Sequence, residues 1–188
     1  HRDLHSFPTR RSSDLLGVDI INDVTGLKYD PMMSKIIEKY CPSLVLCAFS
    51  KKFVTGNQLL KTKNLLKESL NIAKSASIPS TKIVLDPAIG FFRKEGKGSL
   101  FTKINSDWVK RDLLILKNLK SIKMNKPILV SVSNKSFIGK ILKKQYLSDR
   151  LAGTLVTETL SILNGADIIR THNVGKTKEV ITITQKLS

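Results

Sequence analysis

From Leu16 onward the apolar positions follow two alternating rhythms. Short runs rich in Val and Ile are separated by longer stretches in which Leu and Ile recur every three or four residues among Lys. The short runs predict strands over 18–21, 44–49, 82–85, 127–132 and 166–170. The longer ones predict helices over 31–41, 57–77, 107–123 and 149–163. A weaker helix is predicted over 176–186, where Val180, Ile181, Thr182, Ile183 and Thr184 favour a strand by propensity. Asp30 ahead of Pro31 has the form of a helix start, Ser106 and Ser148 are placed to cap later helices, and Asn164-Gly165 supplies a stop. In the 57–77 stretch Leu59, Leu60, Leu66, Leu70 and Ala73 are expected to share the inward face. Five βα units in succession predict an α/β fold built around a parallel sheet.

In such folds reactive side chains gather at the carboxyl ends of the strands, so the post-strand turns carry the functional question. Asp86 ends the third run and is held extended by Pro87. A carboxylate there can accept two parallel hydrogen bonds from an amidine-like edge, such as that of a pterin or guanine, or can cap its own turn. Lys135 follows the fourth run after two intervening residues, Ser133 and Asn134, and can donate to a ring carbonyl or balance an anion, or be one more solvated Lys. Arg170 and His172 alternate across the end of the fifth run and together form a candidate phosphate site. Arg170 is the only Arg on a predicted strand. Asn22, after the first run, can bind a ligand or cap a turn. No Ser-His-Asp set, carboxylate pair or metal cluster emerges in these turns, so chemistry here must lean on the substrate's own leaving group or on residues outside this chain.

Four segments together resemble a known family. VDIINDVTG (18–26), IVLDPAIGF (83–91), PILVSVSNKSFIG (127–139) and RLAGTLVTETLSILNGADIIRTHNV (150–174) are similar to the later motifs of dihydropteroate synthase, in their usual order and spacing. The resemblance implies a TIM barrel transferase of folate biosynthesis. Such an enzyme joins 6-hydroxymethyl-dihydropterin diphosphate to 4-aminobenzoate and releases pyrophosphate with Mg²⁺ assistance. It implies that Asn22, Asp86 and Lys135 bind the pterin ring, that Arg170 and His172 bind the diphosphate, and that Phe91 and Ser136 contact the aminobenzoate. Lys135 and Arg170 would be the catalytic residues. The chain departs from the family at Asn134, where Arg is usual, at Ala88 for Gly, at Cys47-Ala48 for Met-His, and at Asn173 for Asp. The family's motifs from its first three strands do not occur, and with them go the residues expected to hold Mg²⁺. The five units are therefore expected to be strands four to eight of a partial barrel, and the fragment to be inactive. A pterin-binding methyltetrahydrofolate methyltransferase domain, whose corresponding motif has Ser-Asn, is the alternative within pterin chemistry.

Composition narrows the remaining classes. Among 188 residues, 32 Lys and Arg against 15 Asp and Glu give a formal charge of +17. A non-catalytic basic module for nucleic acid is the rival that this charge suggests. The cations, however, are mostly Lys scattered along helix-like stretches, with no basic run longer than two, which describes solvated helix faces. No apolar run approaches membrane-spanning length. Cys41 and Cys47 lie six apart with no second pair to complete a zinc site, and the expected compartment is the cytoplasm. Residues 1–15 carry three of the seven Arg, lack apolar periodicity and resemble a translated sequencing adapter. They are expected to be a non-native or disordered leader to a pterin-binding domain over 16–188. Small-molecule substrates are the expected partners, and a homodimer of the intact parent is possible.

Overall fold

The computed structural model describes residues 18–95 and 98–187, so the expected leader lies outside the described residues. The chain runs through β1 (Ile20–Asp23), α1 (Pro31–Tyr40), β2 (Ser43–Cys47), α2 (Gln58–Ser75) and β3 (Ile83–Asp86). It continues through β4 (Phe92–Arg93), β5 (Thr102–Lys103), α3 (Trp108–Lys117), α4 (Leu119–Ile122), β6 (Leu129–Val130) and α5 (Ser136–Leu142). It ends with α6 (Leu151–Leu163), β7 (Ile168–Ile169) and α7 (Val174–Leu187).

β1, β2 and β3 pair in parallel in that order, with Asp23 opposite Leu46 and Cys47 opposite Asp86. Leu85 bridges in parallel to Ile128, ahead of β6, and its N–H donates to the Pro127 carbonyl at 2.9 Å. β6 pairs in parallel with β7. Helices return the chain between these strands, as parallel connections require. Leu44, Leu46, Leu85, Ile128 and Val130 are buried together with Leu66 of α2 and Ile115 of α3. A second parallel pair, β4 with β5, follows β3, and Val54 bridges to Ile104 beside it. No apolar run predicted this pair.

Local chemistry explains most element boundaries. The Asp30 carboxylate accepts from Met32 N–H with Pro31 at the first helical position, and Asn57 Oδ1 accepts from Leu60 N–H, so Asn57 caps α2 and is not part of it. Ser106 does not cap α3. Asp107 does, its Oδ1 accepting from Val109 and Lys110 N–H. The single helix expected over 107–123 breaks at Asn118. The Asn118 and Asn164 amides donate to the carbonyls of Leu114 and Leu116, which satisfies the end of α3 in place of another helical turn. Ser148 falls in a 3₁₀ turn, Leu147–Arg150, and α6 begins at Leu151. Lys82 belongs to the 3₁₀ turn Ser80–Lys82 and not to a strand, and Leu60 is exposed because α2 turns Leu65, Leu66, Ser69 and Ala73 inward. The β-branched run 180–184 is helical despite its propensity. Tertiary packing against α6 decides, and the Thr182 and Thr184 hydroxyls donate back to Lys178 and Val180 carbonyls.

Candidate functional site

Asp86 closes β3 with its side chain buried at the carboxyl end of the sheet. Its Oδ1 accepts from Ala88 N–H at 2.7 Å, so the turn-capping role is real and leaves Oδ2 for a ligand. Burial raises the Asp86 pKa. The Ala88 N–H, Lys135, the Cys47 thiol and Arg170 all act the other way. Lys135 is the opposite case: burial lowers its pKa while Asp86 and then Asp112 support the charge. Each group is thus strained alone and relieved by the other, which makes a polar pair ready to be completed by a ligand.

Phe91 joins this pair. The Lys135 ammonium lies 4.4 Å from the centre of its ring, and Phe91 stacks on Phe101 at 5.8 Å. Gly90 makes this approach possible. Its φ is +85°, and a Cβ there would lie 2.9 Å from Lys135 Cδ.

Asn22 lies one residue before the end of β1, and the Cys47 thiol donates toward its Oδ1 at 3.8 Å. Burial, then the charges of Asp86 and Asp23, push the Cys47 thiol well above its usual pKa, so it is a neutral donor in the floor of the site. The neighbouring Asp23 is spent on its own turn, accepting from Thr25 N–H, Thr25 Oγ1 and Leu27 N–H.

Arg170 falls just past β7 and is exposed, yet its charge is felt by both Asp86 and Lys135. His172 is also exposed. Its backbone N–H donates to Ser133 Oγ, and it lines a separate cavity of about 220 Å³ with Ser133, Asn134, Leu147 and Leu151. Ser136 opens α5 and accepts from Arg93 Nη2 at 2.8 Å. The structure therefore brings Asp86, Lys135 and Phe91 together, sets Asn22 and Arg170 around them, and places His172 in the adjoining cavity. Among the described residues no group of three or more His, Cys, Asp or Glu is arranged to hold a metal ion.

Sequence reasoning missed the support beneath this site. Arg111 and Asp112 in α3 have fully buried side chains and form an ion pair at 2.9 Å. Arg111 also donates to the carbonyls of Pro87 and Ala88 and to Thr62 Oγ1, and lies over the Phe92 ring at 3.7 Å. Asp112 Oδ2 accepts from Gly90 N–H at 3.0 Å. The loop from Asp86 to Phe91 is thus clamped from below by one cation and one anion. A charged pair inside a helix that otherwise buries Val109, Ile115 and Leu116 was the available signal.

Comparison with known proteins fits this geometry. The pterin binding enzyme family profile matches residues 9–172. The dihydropteroate synthase of Clostridium beijerinckii is 32% identical over 170 residues, covering 89% of this chain and 58% of that one. A folate synthesis bifunctional protein of Arabidopsis thaliana is 34% identical over 171 residues, covering 84% of this chain and 34% of that one. A crystal structure of dihydropteroate synthase from Clostridium difficile, solved in the presence of pteroic acid, superposes with a TM-score of 0.81 at 30% identity, covering 95% of this chain and 62% of that one. The chain therefore spans between about one third and 62% of the length of these relatives.

Proposed function

The chain belongs to the pterin binding enzyme family, and from that premise we propose that it is the pterin-binding portion of a dihydropteroate synthase. The longer protein would be a cytoplasmic transferase of folate biosynthesis, joining a pterin diphosphate to 4-aminobenzoate with loss of pyrophosphate. The parallel strands β1, β2, β3, β6 and β7 would be strands four to eight of its TIM barrel, each bringing its carboxyl end to one mouth.

The observation that carries the reading is the meeting of buried Asp86 with Lys135 beside Phe91. Asp86 would accept from the 2-amino and ring N–H edge of the pterin, and Lys135 and Asn22 would hold the rest of the ring. Arg170 and His172 would meet the diphosphate, and Phe91 and Ser136 would meet the arylamine. Lys135 and Arg170 would be the catalytic residues, since departing charge needs positioned cations more than a protein nucleophile.

Mg²⁺ belongs to the longer protein in this reading. The described residues do not make a coordination set, and no step is assigned to the ion here. The 188-residue chain alone is expected to lack turnover, since site groups that act as a unit fail together. A homodimer of the parent is supported by α6 and α7, which expose Val156, Leu160, Leu163, Ile183 and Leu187.

Calorimetric binding of 6-hydroxymethylpterin and its diphosphate tests the assignment. Asp86→Asn turns one acceptor into a donor and should cost about 2–4 kcal/mol for both ligands. Arg170→Ala should weaken only the diphosphate. No loss in Asp86→Asn would remove the pterin assignment, and equal losses for both ligands in Arg170→Ala would remove the phosphate one. Binding should also fall as pH drops through the raised Asp86 pKa, above the 3.8 of an ordinary Asp.

A further inference from the structure

The inner face of α6 is polar, and it meets the two turns that carry Lys135 and Arg170. Arg150, just ahead of the helix, and Thr154 and Glu158 within it follow at intervals of four and so stand in one row. Arg150 donates to the Asn134 carbonyl at 2.9 Å, and Thr154 Oγ1 accepts from Asn134 N–H at 3.1 Å. These two residues fix the turn that leads into Lys135.

Glu158 reaches the second turn through two hydroxyls. It is fully buried, and Thr177 Oγ1 of α7 lies 2.8 Å from Glu158 Oε2 and 3.0 Å from Thr171 Oγ1. A hydroxyl carries one hydrogen and a carboxylate oxygen accepts, so Thr177 donates to Glu158 and takes the hydrogen of Thr171. Thr171 Oγ1 in turn accepts from Asn173 N–H at 3.2 Å. The chain of donors therefore runs in one direction, from the Asn173 backbone to the Glu158 carboxyl.

Thr171 separates Arg170 from His172. Neighbouring side chains in extended backbone point to opposite sides, so holding Thr171 inward turns Arg170 and His172 outward together, and both are exposed. From the other side, Arg170 N–H donates to the Val130 carbonyl at 2.9 Å and His172 N–H to Ser133 Oγ at 3.2 Å.

Stability alone does not account for Glu158. Its Oε1 is buried and has no hydrogen-bond partner among the described residues, and an unmet buried polar atom is costly. What the residue provides is the acceptor on which the chain of hydroxyls ends.

We infer that Glu158 is a positioning residue, fixing through Thr177 and Thr171 the turn that presents Arg170 and His172, in register with the turn that Arg150 and Thr154 fix for Lys135. This deepens the reading of Arg170 and His172 as the diphosphate side of the site and rests on it.

Calorimetry on this chain with 6-hydroxymethylpterin and with its diphosphate gives an affinity ratio, and a thermal melt of the same samples gives stability. Glu158→Met fills the position without an acceptor. It should cost little stability, because the unmet oxygen leaves with the paired one, yet lower the preference for the diphosphate about fivefold. Glu158→Gln keeps an acceptor for Thr177 and should hold the ratio within about twofold of wild type. Thr177→Val should match Glu158→Met, and the double variant should lower the ratio no further, since one chain is broken once. An unchanged ratio in Thr177→Val, equal losses for both ligands, or losses that multiply in the double variant would overturn the inference. Amide hydrogen exchange gives a reading without ligand: Thr177→Val should speed exchange at His172 and Asn173 and leave Asn134, held by Thr154, as in wild type. That pattern in a chain whose wild type does not prefer the diphosphate would remove the phosphate assignment and keep the positioning role. Unaltered exchange at His172 and Asn173 would overturn the positioning role itself.

Discussion

The sheet β1–β3 and the helix pair α6–α7 bury opposite kinds of side chain. Under the sheet the division is the ordinary one: Leu44, Leu46, Leu66, Leu85 and Phe92 are inside, and Lys61, Lys63 and Lys67 are outside. In α6 and α7 the buried positions are Thr154, Glu158, Ser161, Thr177 and Thr184, while Val156, Leu160, Leu163, Ile183 and Leu187 face out. Thr177 Oγ1 donates to Glu158 Oε2 at 2.8 Å, so polar pairing holds the inner face where the sheet uses apolar packing. A helix pair with polar inside and apolar outside is complete only when another surface covers it. The first region is a finished core; the second leaves its apolar residues uncovered among the described residues.

The sharpest test of that contrast is the Arg111–Asp112 pair buried inside the finished core. Arg111→Met would leave the buried Asp112 with only the Gly90 N–H at 3.0 Å and Arg93 at 3.8 Å, and should cost about 3–5 kcal/mol, read as a shift in urea midpoint at constant slope. A loss below about 1 kcal/mol would show that water reaches Asp112 and that the clamp is not closed.

Truncation of matched leucines comes next. Leu85→Ala removes a fully buried side chain and should cost about 2–5 kcal/mol, whereas Leu187→Ala, at 82% exposure, should change the stability of a monomer by less than about 0.5 kcal/mol. Leu160→Asp should leave the melt unchanged while shifting sedimentation toward monomer. A species already monomeric before substitution would contradict the dimer reading and leave the exposed face unexplained.

At the site itself, Gly90→Ala should cost about 1–2 kcal/mol, because φ +85° disfavours any Cβ and Lys135 Cδ stands in its way. Shortening the neighbour in Gly90→Ala/Lys135→Ala should recover the steric part alone. Full recovery would mean that the backbone is unstrained.

The smallest effect belongs to the joint between the two regions. Asp167 accepts from Ile128 N–H at 2.8 Å and from Lys123 at 2.6 Å, tying the entry of β7 to β6. Burial acts to raise its pKa, but those two donors outweigh it and hold the carboxyl below the usual 3.8. A depressed carboxylate stabilises fully above 3.8, and the contribution is lost as pH falls through its lower folded value. The pair is partly exposed, so Asp167→Asn should cost under about 1 kcal/mol at neutral pH, with the difference from wild type vanishing in acid.

The succession of strands and helices, Asp86 at the end of β3, the helix stop at Asn164-Gly165 and the family to which the motifs belong were all legible along the chain. These features are written in residues close together along the chain: a Val- and Ile-rich run, a Pro after an Asp, a cap before a Pro. Long-range packing settled which of the many basic residues are buried and paired. Arg93 meets Ser136 across 43 positions, and Arg111 meets Thr62 across 49. It also decided that 180–184 would be helical, that Leu60 would face water while Thr154 would not, and that Ser106 would yield its cap to Asp107. The physical reason is common to all of them. Periodicity gives the faces of an element, but which face is buried, and which charge is neutralised, depends on the surface brought against it by distant parts of the chain.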